Sequence, residues 1–162
     1  MITVRSATPD DTAEILRIIR QLAVFEKSPG TVVISEDVLR ADGFGDSRRI
    51  EVLLAESDGR VCGTIVLYHA YSSWAGAPTL TVHDLYVEED ARGAGAGRAL
   101  LSAAAKLAAE RGCCRMDVNV LAWNTAARKF YETLGFTHID EWLPYRLDKA
   151  GLEKLAAKAP QE

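Results

Sequence analysis

A glycine-rich segment, Arg92-Gly93-Ala94-Gly95-Ala96-Gly97, directly follows a predicted strand and opens a predicted helix. Glycine allows positive φ angles and lets backbone N–H groups approach an anion without a Cβ in the way. The helix N-terminus adds partial positive charge at the same place. The segment therefore predicts a pyrophosphate site. The alternative is a loop that needs glycine only for its own turn.

Two familiar phosphate motifs do not account for this segment. No Gly-Lys-Ser/Thr follows it, so it is not a P-loop. It resembles a dinucleotide-binding G-x-G-x-x-G only weakly, because Arg98 stands where a small residue is expected. A dinucleotide fold also requires an acid about 20 residues further on within strand-helix-strand order. Asp117 lies near that position, but the surrounding order is wrong.

The cysteines Cys62, Cys113 and Cys114 are too few and too badly spaced for a disulfide framework. No Cys-x-x-Cys or histidine cluster predicts a metal site. A cysteine nucleophile would need a neighbouring base, which the sequence does not provide. We interpret these residues as free thiols and expect no bound metal.

The elements that must position the loop alternate between strand and helix patterns. The first half predicts strands over 2–5, 49–56 and 61–71, with helices starting at Thr8 and at Ser35. Asp58-Gly59 between the last two strands is a hairpin signal. The second half predicts strands over 80–87, 115–120, 136–140 and 143–147, helices over 97–110 and 125–134, and a helical tail. This order predicts an α+β fold, with a mixed sheet covered by helices in a single domain over residues 1–162.

Composition excludes several classes of function. The chain is 48% hydrophobic and 26% charged, as in globular proteins, and its net charge is -4. It lacks the basic stripe typical of nucleic-acid binding, and no apolar run approaches the roughly 20 residues that cross a bilayer. The N-terminus lacks the pattern of a secretory signal. We therefore expect a cytoplasmic protein without nucleic-acid or membrane partners.

Three segments together resemble the GNAT acetyltransferase superfamily. Arg92, Gly95 and Gly97 match its R-x-x-G-x-G pyrophosphate loop, Leu85-Tyr86-Val87 resembles the strand that binds the pantetheine arm, and 123–136 (WNTAARKFYETLGF) resembles its asparagine and tyrosine helix. The resemblance implies the GNAT fold, a mixed, mostly antiparallel central sheet flanked by helices on both faces. It also implies acetyl-CoA as the acetyl donor. The cofactor-binding residues it implies are Leu85, Tyr86, Val87, Arg92, Gly93, Ala94, Gly95, Ala96, Gly97, Arg98, Asn124 and Tyr131.

A closer resemblance extends over almost the whole chain. The segments 21–29 (QLAVFEKSP), 42–45 (DGFG), the region of Trp74 and 122–124 (AWN) resemble the spermidine/spermine N-acetyltransferase-like subfamily. That group includes diamine, polyamine and thialysine acetyltransferases. The resemblance implies a small-molecule amine substrate and a homodimer.

Two positions depart from the subfamily pattern. Val82-His83-Asp84 stands where the subfamily has Leu-Glu-Asp, so His83 replaces the glutamate linked to deprotonation of the amine. Ser72 stands where polyamine enzymes often have aspartate. Fewer carboxylates weaken recognition of a long polycation. Acetyl transfer is therefore expected, whereas these two changes leave polyamine specificity open.

Two residues are the catalytic candidates. An alkylammonium with a pKa near 10 must lose a proton before attack. His83 can serve as the base or hold a relay water, and the alternative is a strand histidine hydrogen-bonded to its neighbours. Tyr131 matches the general acid of the family, and its alternative role is a packed helix tyrosine.

The remaining site residues are assigned through the subfamily. Glu26 is expected to hold the distal ammonium of the substrate, and its alternative is an exposed charge after a helix. Trp74 is expected to line the entrance, since aromatic faces attract cations, and its alternative is a core or dimer contact. Asp84 is expected to have a structural or a secondary role, because it should point to the opposite strand face from His83. Asn124 is expected to contact the cofactor, to cap its helix, or both.

The sequence thus predicts an acetyl-CoA-dependent N-acetyltransferase acting on a small primary amine. One alternative is a protein N-terminal or lysine acetyltransferase, which would need an open peptide groove. Another is a CoA-binding dimer without catalysis, which the change to His83 favours slightly and Tyr131 disfavours.

Overall fold

The computed structural model describes residues 1–160, which fall into two compact units, Met1–Leu121 and a second unit that begins at Ala122. The strands of the first unit are β1 (Ile2–Ser6), β2 (Glu51–Ser57), β3 (Arg60–Ser72), β4 (Ala77–Val87) and β5 (Met116–Val118). Its α-helices are α1 (Thr12–Phe25), α2 (Glu36–Phe44) and α3 (Ala96–Glu110). The second unit contains α4 (Thr125–Thr133) and α5 (Lys149–Ala156).

The five strands form one mixed sheet in the order β1-β2-β3-β4-β5. The first three pairings are antiparallel, and β4 pairs with β5 in parallel. The Asp58-Gly59 turn joins β2 to β3, with φ of 52° at Asp58 and 78° at Gly59. A two-residue hairpin turn that matches the right-handed twist of its strands requires positive φ at both residues. The predicted hairpin is confirmed.

Helices cover the sheet on both faces, as expected. On one face, a buried cluster joins α1 and α2 to β2 and β3; it consists of Ile15, Leu16, Leu39, Val52, Leu54 and Val66. On the other face α3 packs against the sheet, where a Cβ at Gly63 would lie 3.5 Å from Leu100 Cδ1. The predicted α+β fold is confirmed.

Two predicted strands are not formed. Residues 136–140 and 143–147 have no strand structure, and several of their large apolar side chains are exposed, including Ile139, Leu143 and Tyr145. A strand gains its hydrogen bonds from a neighbouring strand. Within residues 122–160 the structure contains no other strand that could supply this pairing.

Candidate active site

The site is built around a split between two strands of the first unit. β4 pairs with β5 only over Leu80–Val82, opposite Met116–Val118. It nevertheless continues to Val87. Residues 85–87 therefore present backbone N–H and C=O groups along an edge that β5 does not cover, which is a template for pairing with another extended chain.

A β-bulge lies where the split begins. Leu67 pairs with Val82 and Val66 pairs with Asp84, so His83 is an extra residue in β4. Asp84 shares the face of its partner Val66 and of Tyr68, which is two residues away on β3. The imidazole of His83 lies 6.0 Å from the Tyr68 ring, centroid to centroid. The expectation that His83 and Asp84 point to opposite faces is therefore wrong, because the bulge turns both toward the α1 face.

Glu26 directly follows α1 and joins this pair electrostatically. Burial raises the pKa of the Glu26 carboxyl, Asp84 raises it further, and His83 lowers it. Burial also raises the pKa of Asp84, against the opposing effect of His83. Two carboxyl groups whose ionisation is disfavoured by burial would be stabilised in their charged form by a cation bound near them. Three predicted residues, Glu26, His83 and Asp84, are thus brought together.

The glycine-rich loop adopts the backbone conformation that its composition predicts. Gly93 and Gly95 have φ of 79° and 92°, and Gly95 immediately precedes α3, whose N-terminus has no side-chain cap. Ala96 is buried, whereas Ala94 and Arg98 are exposed. The first N–H groups of a helix without such a cap can hydrogen-bond an anion. The loop therefore suits a pyrophosphate.

Arg92 is held against two aromatic rings at the start of this loop. Its Nε donates to the Val87 carbonyl oxygen at 3.0 Å. Its guanidinium carbon lies 5.2 Å from the Phe25 centroid and 5.4 Å from the Tyr86 centroid, within cation–π distance. Phe25, which the sequence analysis did not single out, therefore links the end of α1 to the loop. Only its place beside Glu26 in the chain could have drawn attention to it.

The second unit holds the two predicted residues of α4. The Oδ1 atom of Asn124 accepts a hydrogen bond from the Ala127 N–H at 3.1 Å, which confirms its helix-cap role. The ring of Tyr131 is buried against Phe130 and Phe136, at centroid distances of 5.6 and 5.3 Å. Both residues are therefore fixed within their own unit.

The β3–β4 hairpin carries Ser72 and Trp74. The Oγ of Ser72 accepts a hydrogen bond from the Ala75 N–H at 3.2 Å, so this serine stabilises the turn. The indole of Trp74 is exposed, with 93% of the residue accessible.

Among residues 1–160, no group of three or more histidine, cysteine or acidic side chains is placed to hold a metal ion. No helix in this range has the length and apolar character needed to cross a membrane.

Known proteins are similar to this chain in sequence and in fold. Residues 15–136 match the Acetyltransferase (GNAT) family. The chain is 35% identical to the thialysine N-epsilon-acetyltransferase of Sus scrofa, over 97% of this chain and 98% of that protein, and 36% identical to that of Mus musculus, over 96% and 97%. An integron cassette protein from the mobile metagenome of V. cholerae superimposes with a TM-score of 0.80 at 25% identity, covering 98% of both chains.

Proposed function

Because the chain belongs to the GNAT acetyltransferase family, we propose that it transfers acetyl from acetyl-CoA directly to a primary amine of a small molecule. The observation that carries this proposal is the cluster of Glu26, His83 and Asp84 at the bulge of β4, where the sheet splits. It combines two carboxyl groups that suit a cation with an imidazole that can accept a proton. Family membership supports acetyl transfer as the reaction, and the cluster supports an amine as the acceptor.

The substrate class is a diamine, a polyamine or a lysine analogue. Relatives of nearly the same length are named thialysine acetyltransferases, which supports an acceptor with a second charged group. Glu26 and Asp84 would hold an ammonium of the substrate, and Trp74 would line the entrance. Since Ser72 and His83 replace acids of the polyamine enzymes, a short acceptor is favoured over a long polycation.

Acetyl-CoA fits the loop and the open strand edge. The edge at Leu85, Tyr86 and Val87 would pair with the amide groups of the pantetheine arm. Backbone N–H groups of the loop and of the first turn of α3, from Gly93 to Arg98, would hold the pyrophosphate. Arg92 would keep the loop in place, and the Asn124 amide nitrogen, which the helix cap does not use, would add a donor. Bound there, acetyl-CoA supplies the thioester acetyl group.

Two side chains would move the protons. His83 would take a proton from the bound ammonium, directly or through water, so that the free amine can attack the thioester carbonyl. Backbone N–H groups at the split in β4 would polarise that carbonyl. Tyr131 would donate a proton to the leaving thiolate.

Assembly and location complete the proposal. The chain would act as one domain spanning both units, since the family match runs across Leu121 and Ala122. It would form a homodimer, which the exposed apolar side chains Trp74, Trp142 and Tyr145 support. The free thiols of Cys62, Cys113 and Cys114 suit a reducing compartment such as the cytoplasm.

The test is release of CoA from acetyl-CoA, measured with one amine at a time. The panel contains thialysine, lysine, putrescine, spermidine, spermine, an aminoglycoside and several peptides. We expect turnover with small amines and the highest kcat/KM for short acceptors that carry a second charge. Turnover with peptides alone would replace this proposal by a protein acetyltransferase. CoA binding without turnover on any amine would replace it by a non-catalytic binding role.

A further inference from the structure

A buried carboxylate lies between β4 and the glycine-rich loop. Glu88 follows the last residue of β4 and is only 7% exposed. Its Oε1 accepts a hydrogen bond from Arg17 Nη1 at 2.5 Å, and its Oε2 accepts one from Arg60 Nη1 at 2.8 Å. A glutamate is rarely buried this far unless it is paired. Here both of its oxygens are paired.

The two arginines anchor Glu88 to different elements. Arg17 lies on α1, where Glu14 also accepts hydrogen bonds from its guanidinium. Arg60 is the first residue of β3, and its Nη2 donates to Asp90 Oδ2 at 2.8 Å. Asp90 belongs to the short turn Glu89–Ala91 that leads into the glycine-rich loop. Side chains therefore tie the segment before the loop to α1 once and to β3 twice, and the Glu88 N–H adds a backbone hydrogen bond to the Cys62 carbonyl oxygen of β3 at 2.9 Å.

We propose that Glu88, with Arg17 and Arg60, is a positioning residue for cofactor binding. This inference rests on the proposed function. A glycine-rich loop loses much conformational freedom when it binds an anion, because glycine has the most freedom to lose. Fixing the start of the loop beforehand lowers that cost and aims its N–H groups at the pyrophosphate. The far end is already fixed, since Ala96 is buried at the start of α3.

The experiment compares CoA binding by calorimetry with thermal stability for four proteins. Glu88→Gln removes the charged centre of the clamp that Arg17, Glu88 and Arg60 form. Arg60→Gln removes both side-chain links to β3 while leaving Glu88 paired with Arg17. Glu56→Gln is the matched control, because Glu56 also accepts a hydrogen bond from an arginine (Arg5 Nε, at 2.7 Å) but lies on β2, away from β4. The fourth protein is the unaltered chain.

We expect the Kd for CoA to rise on the order of tenfold in Glu88→Gln and Arg60→Gln and to stay unchanged in Glu56→Gln. A purely structural role would lower the unfolding temperature of all three variants without changing the Kd. If Glu88→Gln does not fold, the Kd of Arg60→Gln for CoA alone tests the inference. An unchanged Kd in a folded clamp variant, or an equal rise in Glu56→Gln, overturns this inference only. Failure of the unaltered chain to bind CoA overturns the proposed function as well.

Discussion

Glu26, His83 and Asp84 form a small group in which the imidazole acts on both carboxyl groups and Asp84 acts on Glu26. Burial raises the pKa of both carboxyl groups, and the imidazole acts in the opposite direction. The types of these residues and their nearness to the loop in sequence could be predicted. Their common face could not, because it depends on one extra residue in β4 that strict alternation along a strand does not reveal.

His83 is expected to govern the pH dependence of turnover. His83→Ala removes the proposed base or water relay, so kcat/KM is expected to fall about a hundredfold at neutral pH. The plateau of the pH profile should be replaced by a rate that rises steadily with pH, because a hydroxide-dependent rate then dominates. Steady-state kinetics across the pH range measure both effects. An unchanged profile with unchanged turnover would remove His83 from the mechanism.

Tyr131→Phe keeps the ring and removes the hydroxyl. If Tyr131 protonates the leaving thiolate, kcat is expected to fall about a hundredfold while the KM for the amine changes little. Phe130→Leu is the matched control, since it alters the neighbouring ring and leaves the hydroxyl in place. Turnover near that of the unaltered chain in Tyr131→Phe would leave this tyrosine only its packing role.

Glu26→Gln tests the cation pocket. The substitution removes a charged acceptor, so the KM for a diamine is expected to rise about tenfold. Because the pKa values of Glu26 and Asp84 are raised, the same KM should also rise in the unaltered chain as the pH falls toward, but remains above, the ordinary carboxyl pKa of about 4. Glu26→Gln should weaken that dependence, since Asp84 alone then titrates.

A linked stability measurement provides the control. A carboxyl group with a raised folded-state pKa contributes stability below its unfolded pKa, and this contribution is lost as the pH rises through the folded pKa. Glu26→Gln is therefore expected not to lower the unfolding temperature at neutral pH. Glu110→Gln, an exposed carboxylate on α3, should leave the KM unchanged. A diamine KM that ignores both pH and Glu26→Gln would contradict the pocket.

At the scale of elements, local backbone chemistry made several features predictable. Asp58-Gly59 specified the hairpin, and Gly93 and Gly95 take the positive φ angles expected of a loop before a helix. Features that depend on distant partners were missed. Arg17 and Arg60 lie 71 and 28 residues from Glu88 in sequence. Residues 136–147 alternate like strands but have no strand partner among residues 122–160.

Gly95→Ala is expected to impair acetyl-CoA binding through the backbone alone. A Cβ there meets nothing within 4 Å, so the cost arises from φ of 92° and amounts to about 1–2 kcal/mol. Relief of this strain would turn the N–H groups of the loop, and the KM for acetyl-CoA should rise about tenfold. Gly112→Ala is the matched control, with φ of 68° and equally open space beyond the other end of α3.

Kinetics and thermal unfolding of both variants check this expectation. Both should lose similar stability, but only Gly95→Ala should change the KM for acetyl-CoA. Equal KM values in the two variants would show that the conformation of the loop does not matter for cofactor binding.

At the scale of the whole molecule, the family match and the relatives of equal length assign the reaction, whereas the acceptor depends on the pocket of this chain. Its net charge of -4 is compatible with a cationic substrate but does not select one. On the proposed function, selection of the amine would depend on Glu26 and Asp84 and on the changes at Ser72 and His83.

A competition assay tests the central claim most directly. The protein is incubated with acetyl-CoA and equal concentrations of thialysine, spermidine and a lysine-containing peptide, and the products are quantified by mass spectrometry at low conversion. The ratio of products then equals the ratio of kcat/KM values. We expect acetylated thialysine to dominate, followed by spermidine, with little acetylated peptide. Acetylation of the peptide alone, or of none of the three, would contradict the assignment of a small amine as the substrate.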